Sequence, residues 1–297
     1  MLSVLLPVYN YDIRKLIEDI RRQAREEKIE FEIVVIDDAS TEDFCRINRS
    51  VRNLSNVCYS EEKNNLGRSG IRNKLARKAK FDNLLFIDCD SSIIRSDYIR
   101  NYIKYIGQTE VIYGGREYSK NMADEICKLH YIYGLNREQA TAKQRSIEPN
   151  RSFQTNNFLI KKKVVTDIGF NEQIAGYGHE DTLFGYELKK RGITIMHIDN
   201  PIEHLGLESN EEFLRKTREG IENLNRILQF NGSEEKLAKD ITILTYYKTL
   251  KKFRLKKAAQ IFFYRFEHLL RKNLLGNNPK LFVFDLYKLG YLCSVNV

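Results

Sequence analysis

Two carboxylates one residue apart, Asp88 and Asp90, end the apolar run Leu84-Leu85-Phe86-Ile87. In an extended segment alternate side chains share a face, so both acids point one way and Cys89 the other. Carboxylates that converge repel each other unless a cation lies between them. A hard divalent ion that also takes phosphate oxygens meets that need. Similar groups recur along the chain: Asp37-Asp38 ends a second apolar run, Glu180-Asp181 opens a helix-spaced stretch, and His204 follows a strand-like one. A lone D-x-D also fits a strand end with two solvated acids, and only convergence with the other groups distinguishes the two.

The elements that must position them alternate. Leu2 to Val8, Phe31 to Ile36, Val57 to Ser60 and Asn83 to Ile87 read as short buried strands. Between them Ile13, Leu16, Ile17, Ile20 and Ala24 recur at helical spacing, and the turn Asn64 to Gly70 leads into a helix from Ile71 to Ala79. This order predicts an α/β protein with a parallel sheet and right-handed crossovers. Ligands of such sheets bind beyond the carboxyl ends of the strands, where Asp38, Asp88 and Asp90 fall. Pro7-Val8-Tyr9-Asn10 ends the first strand there and serves equally as a plain strand terminator; in a functional reading Tyr9 or a neighbour would stack on a base, Asp38 would accept its N–H, and Arg68 would face the ring or phosphates. Each signal also has a plain reading; Asp37-Asp38 before Ser40-Thr41, for one, serves equally as a helix cap.

Further on, Tyr98 to Ile106 reads as a helix, Val111 to Tyr113 as a strand, and 116–150 as a polar insertion of loops and helices, the kind that forms lids. Phe153 to Ile160 and Ile193 to Ile198 are further strands, and Glu211 to Leu228 is an amphipathic helix. Glu180 and Asp181 fall in the first turn of a helix that Lys189-Lys190-Arg191 and Gly192 close. The helix dipole keeps Asp181 ionised, so it serves as a base only where burial lifts its pKa.

The chain has 297 residues, 42% hydrophobic and 30% charged, ordinary for a globular protein. Its five cysteines contain no C-x-x-C pair and are expected as reduced thiols of a cytosolic protein without a zinc site. Met1 to Pro7 lacks a basic n-region and a cleavage site, and no apolar run is long enough to span a bilayer. The net charge of +9 is concentrated in 233–297, which holds 13 Lys/Arg against 5 Asp/Glu. That basic, aromatic tail points to an anionic partner surface.

Taken in order, Pro7-Val8-Tyr9-Asn10, Asp37-Asp38-Ala39-Ser40, Asn65-Leu66-Gly67, Asp88-Cys89-Asp90 and Gly178-His179-Glu180-Asp181 resemble the motifs of family 2 glycosyltransferases of the GT-A fold. The resemblance covers about 1–230. Asn156 through Gly192 is also similar to the C-terminal catalytic portion of β-1,4-galactosyltransferases and to the transferase modules of chondroitin polymerases. It implies a Rossmann-like, mostly parallel sheet flanked by helices over 1–232, with a helical C-terminal extension over 233–297. It implies a UDP-sugar donor, with Pro7, Val8 and Tyr9 (and Asn10 beside them) lining the uracil pocket, Asp38 on the base, and Asn65, Gly67 and Arg68 nearby. Asp88 would contact ribose or metal; Asp90 and His204 would hold Mn²⁺ or Mg²⁺. Asp181 would be the catalytic base, with Glu180 and Tyr177 shaping the acceptor and sugar sites. Tyr177 stands where the galactosyltransferase motif carries tryptophan and His179 where it carries a small residue, which leaves the sugar open among Gal, GalNAc, GlcNAc and Glc types.

One carboxylate base with one metal-assisted leaving group implies a single displacement with inversion, and the absence of an internal repeat implies one site. The acceptor is expected to be a saccharide or a lipid-linked saccharide at the cytoplasmic face of a membrane, which 233–297 would touch as an interfacial helix or else pack on the core. Nucleic acid is not expected: the tail matches no nucleic-acid-binding pattern, and the acids at the sheet edge would repel phosphates unless a metal ion were present. A GT-A-like nucleotidyltransferase or a non-catalytic sugar-nucleotide binding protein is the rival reading.

Overall fold

In a computed structural model, residues 1–121, 124–174, 176–231 and 241–295 are described. Strand β1 (Leu2–Val8) leads through α1 (Arg14–Glu26), β2 (Phe31–Asp37), α2 (Glu42–Asn48), β3 (Val57–Glu61) and α3 (Gly67–Lys78) to β4 (Asn83–Ile87). β1 pairs in parallel with both β2 and β4, and β2 with β3. The apolar runs are buried on both faces, as a helix-covered parallel sheet requires. On one face Val4, Leu6, Ile33, Val35 and Ile87 pack with Ile17 and Ile20 of α1 and with Ile13 just before it. On the other, Leu5, Val34, Ile36, Leu84 and Phe86 pack with Ile71 and Leu75 of α3.

After β5 (Ser91–Ser92) and α4 (Tyr98–Ile103), β6 (Val111–Tyr113) and β7 (Arg116–Glu117) precede the insertion with α5 (Lys128–Tyr133) and α6 (Ala142–Arg145). The chain then forms β8 (Asn157–Lys161), α7 (Lys162–Ile168), α8 (Glu180–Lys190), β9 (Met196–His197), β10 (Ile202–His204) and α9 (Asn210–Asn231). The main sheet runs β3-β2-β1-β4-β8-β6-β9, and β8 is antiparallel to both its neighbours. The order reverses direction at β1 and β4, so their carboxyl ends open the crevice where α/β sheets bind ligands.

β5, β10 and β7 form a second, three-stranded sheet. β10 sets His204 opposite Ser91, and Leu205 N–H donates to the Asp90 carbonyl at 2.8 Å. Behind this edge Asn157 is wholly buried. Its Oδ1 accepts from the Tyr98 and Tyr102 hydroxyls, each at 2.7 Å, and its Nδ2 donates to Gly115 O and Asn200 O. Such a saturated network fixes the backbone that follows β6.

The expected boundary between 232 and 233 lies at residues outside those described. The compact units divide the chain elsewhere: 1–118, 139–173 and 180–206 in one, 119–138, 174–179 and 207–297 in the other. Apolar packing is the physical reason. Leu129 of α5 and Phe213 and Leu214 of α9 share a core with Phe263, Leu270, Phe284 and Tyr287 of the C-terminal helices. Those helices are α10 (Thr242–Lys252), α11 (Lys256–Leu274) and α12 (Leu281–Val295). The helical extension is thus present, as part of a larger helical unit.

Candidate active site

At the end of β1, Asn10 takes φ +49°. Its N–H donates to Ser40 Oγ and its Oδ1 accepts from Thr41 N–H, both at 2.8 Å. Pro7 and Val8 lie within β1, and Tyr9 is 55% exposed at its tip. Asp38 N–H donates to Val8 O at 2.7 Å. Its carboxylate is buried and accepts from Leu66 N–H at 2.6 Å and Gly67 N–H at 3.1 Å. Burial pushes this carboxyl up despite those two bonds. Asn65 Nδ2 closes the loop onto Asp38 O at 2.9 Å, and Gly67, at φ +73°, supplies a turn that other residues adopt with strain. Both Asp38 oxygens therefore order the Asn65–Gly67 loop, a use that the expected base contact did not include.

α3 begins at Gly67, earlier than the expected Ile71, and so places Arg68 and Arg72 one turn apart on one face. Arg72, with 3% of its side chain exposed, donates from Nη2 to Asp88 Oδ1 at 2.7 Å. Its Nη1 lies 3.9 Å from Glu180 Oε1, and Arg68 Nη1 lies 3.2 Å from the same oxygen. A buried ionic chain thus links the D-x-D to the start of α8. Arg72 was not among the candidates; its i,i+4 spacing from Arg68 was the available signal.

The two acids of α8 are driven apart. Burial alone would raise the Glu180 carboxyl, but Arg68 and Arg72 outweigh it and hold it below the ordinary range. Among the described residues no cation pairs with Asp181 at contact distance. Burial, then the charge of Glu180, push it up to about 6, against bonds from Thr182 N–H at 2.6 Å and Thr182 Oγ at 3.2 Å.

At the other end of the chain of charges, His204 Nδ1 lies 3.6 Å from Asp90 Oδ2. Burial opposes ionisation of Asp90, yet His204, Arg116 and Arg68 hold its carboxyl well below the usual range. Asp90 Oδ1 is buried and has no hydrogen-bond partner among the described residues. Gly206 passes so close that a Cβ there would strike Asp90 Oδ2. The expected three-ligand set is not drawn together: Asp90 and His204 meet, whereas Asp88 is bound by Arg72. Among the described residues no group of three His, Cys, Asp or Glu side chains could hold a metal. Cys89 packs against the core and burial drives its thiol far up, which makes it inert.

Tyr177 belongs to the second unit, where Lys216 Nζ sits 5.2 Å from its ring centre and Asn223 Nδ2 donates to its carbonyl at 3.0 Å. His179 beside it takes φ +70°.

Comparison with known proteins agrees with this architecture. Hyaluronan synthase of Pasteurella multocida is 27% identical over 201 residues, covering 57% of this chain and 21% of the synthase. The chain therefore spans about a fifth of that relative's length. A mannosyltransferase from Pyrobaculum calidifontis, solved with GDP-Man and Mn²⁺, superposes with a TM-score of 0.64 at 14% identity, over 99% of this chain and 86% of that one. Staphylococcus aureus TarS, solved with UDP-GlcNAc, gives 0.51 at 19% identity over 99% and 90%. Both likenesses bear on the fold, which is GT-A. The family described as Glycosyl transferase family 2 matches residues 3–171, more than half of the sequence. On that match the chain belongs to glycosyl transferase family 2.

Proposed function

We propose that the protein is an inverting hexosyl- or N-acetylhexosaminyltransferase that moves a sugar from a UDP-sugar to a hydroxyl of a saccharide or lipid-linked saccharide. The observation that carries this reading is the opposite displacement of neighbouring acids, Glu180 held ionised and Asp181 lifted to about 6. A base is most effective with its pKa near working pH, and paired acids driven apart mark a division of roles. Asp181 takes the proton of the acceptor hydroxyl as that oxygen attacks the anomeric carbon. The bond to the diphosphate breaks on the opposite face, so configuration inverts and no second nucleophile is needed. Glu180 anchors Arg68, whose side chain is 43% exposed and can meet the diphosphate.

Asp90, with its unpartnered buried oxygen, and His204 fit a Mn²⁺ or Mg²⁺ ion, since such ions take one or two protein groups and complete their shell with water and phosphate. When bound, the ion would neutralise charge on the leaving diphosphate. Mn²⁺ in the mannosyltransferase structure supports this cofactor, and UDP-GlcNAc in TarS supports the donor class. Asp88, neutralised by Arg72, is assigned to the donor ribose, and Pro7, Val8, Tyr9 and Asn10 to the base. Free thiols at all five cysteines favour a cytoplasmic setting, and among the described residues no helix is long and apolar enough to cross a membrane.

The test is a panel of UDP-Glc, UDP-Gal, UDP-GlcNAc and UDP-GalNAc, with GDP-mannose beside them, following nucleotide release with Mn²⁺ and candidate acceptors. Release from one UDP-sugar, lost in Asp181→Asn and Asp90→Ala and on chelation, is the expected result. Turnover that survives Asp181→Asn would favour a nucleotidyltransferase, and binding without turnover in any pairing a sugar-nucleotide binding protein. Release from GDP-mannose alone would overturn the uridine assignment.

A further inference from the structure

Helix α11 and the elbow before it carry a surface that the catalytic reading does not use. Large apolar side chains recur at Leu255, Phe262, Phe266 and Leu269, spaced 7, 4 and 3 residues, which aligns them along one side of a helix. They are 50%, 45%, 39% and 50% exposed, and the Phe262 and Phe266 rings touch with centres 4.8 Å apart. The stripe is about 21 Å long at 1.5 Å per residue. It is separate from the buried side of the same helix, where Phe263, Leu270 and Leu274 enter the core.

Beside the stripe Arg265 and Lys272, seven residues apart, lie on one adjoining line of α11, Arg254 precedes the helix in the elbow, and all three are exposed. The one acid of α11, Glu267, pairs with Arg218 of α9. The exposed side of α11 therefore carries cations and apolar groups without a carboxylate of its own.

The elbow supplies a second, independent observation. α10 ends with Leu255 N–H donating to Leu250 O at 2.8 Å and Arg254 N–H to Lys251 O at 3.0 Å, the paired bonds of a Schellman cap. The left-handed position of that cap usually falls to glycine, yet here Arg254 holds it at φ +59°. A strained cation is retained where glycine would fold more easily, between exposed Phe253 and Leu255 and beside Lys251, Lys252 and Lys257.

We infer that the elbow and the Leu255–Leu269 stripe form a docking surface for an anionic lipid bilayer, on which α11 lies in the interface plane. Aromatic and aliphatic side chains enter the headgroup boundary while the adjoining cations meet lipid phosphates. A nucleic-acid backbone would use the cations and leave the apolar stripe wet. A second copy of the chain packed antiparallel on the stripe about a two-fold axis would bring like-charged bands together.

Flotation of the full chain with vesicles of neutral phosphatidylcholine, and of phosphatidylcholine with a third phosphatidylglycerol, tests this. Binding to the anionic vesicles, weakened at high salt and about tenfold or more weaker in Phe262→Ser/Phe266→Ser, is expected. Arg254→Gly relieves the left-handed arginine, so it should unfold at a higher temperature while binding anionic vesicles less, which separates loss of docking from loss of fold. Equal flotation of wild type and the double variant, or none by either, overturns the proposal, as does a concentration-dependent dimer abolished by the double variant. Donor turnover with a soluble acceptor is a separate readout, so failure here leaves the transferase reading standing and the reverse.

Discussion

Replacing Asp181 by Asn should abolish transfer and yet make the protein more stable. A carboxyl lifted from 3.8 to about 6 is one whose ionised form the fold disfavours. In the unfolded chain it ionises near its ordinary value. Between about pH 4 and 6 the native state therefore binds more protons than the unfolded one, and stability falls as pH rises through that window. Above pH 6 the full penalty is present, about 2–3 kcal/mol. Asparagine is isosteric, keeps an acceptor for the Thr182 N–H and hydroxyl, and carries no charge. At pH 7 Asp181→Asn should thus gain about 2–3 kcal/mol, a rise of roughly 4–10 °C in unfolding temperature. At pH 4 the gain should nearly vanish. Thermal unfolding of both proteins across pH 4–8, beside nucleotide release from the donor, measures this. A variant less stable than wild type at pH 7, or equally stabilised at pH 4 and 7, would refute the raised carboxyl and with it the choice of base.

Glu180→Gln removes the second cause of the Asp181 shift while burial, the larger one, remains. The acid limb of kcat/KM should move down by less than one pH unit, and an unmoved limb counts against coupling of the pair. Arg72→Met leaves Asp88 beside a buried gap in place of a cation 2.7 Å away, and should cost about 3–5 kcal/mol by denaturant unfolding. A cost below 1 kcal/mol would mean that water replaces the guanidinium. Gly206→Ala drives a methyl into Asp90, so metal-dependent release should fall by tenfold or more with circular dichroism unchanged. Wild-type rates in that variant would show that Asp90 can move without loss.

Some of this was legible in the sequence for a plain reason. β1, β2 and β4 are continuous apolar runs because helices cover both faces of the sheet, and their acids mark where the strands leave it. The start of α8 at Glu180 follows from glycines before it and a helical apolar period after it. The second sheet was not legible: Ser91–Ser92 and Arg116–Glu117 are two-residue strands of polar side chains, held by pairing across the fold. His204, expected to follow a strand, is itself part of the strand between them. The run expected as a strand from Ile193 to Ile198 pairs only at Met196–His197, and β8 starts at Asn157 rather than Phe153 and runs antiparallel. Arg72 escaped because a buried arginine within a helix looks like a solvated one until its acids are placed. Shared apolar packing, which the change in charge at 233 does not reveal, joins α5 and α9 to the C-terminal helices.

The bonds that complete the binding edge close long loops. Arg68 and Glu180 are 112 residues apart, and Tyr98 and Asn200 are 102 apart, whereas the first strand pair is joined by Ser3 and Glu32, only 29 apart. Loop-closure entropy grows with such separation, so the local βαβ pairs have the advantage in folding and the edge is assembled late. During synthesis from the N-terminus, β1 to β4 are complete before Asp181, His204 and the second sheet exist. A chain stopped half-way has a sheet of the right kind without a competent site, and a sugar nucleotide can stabilise only the finished protein.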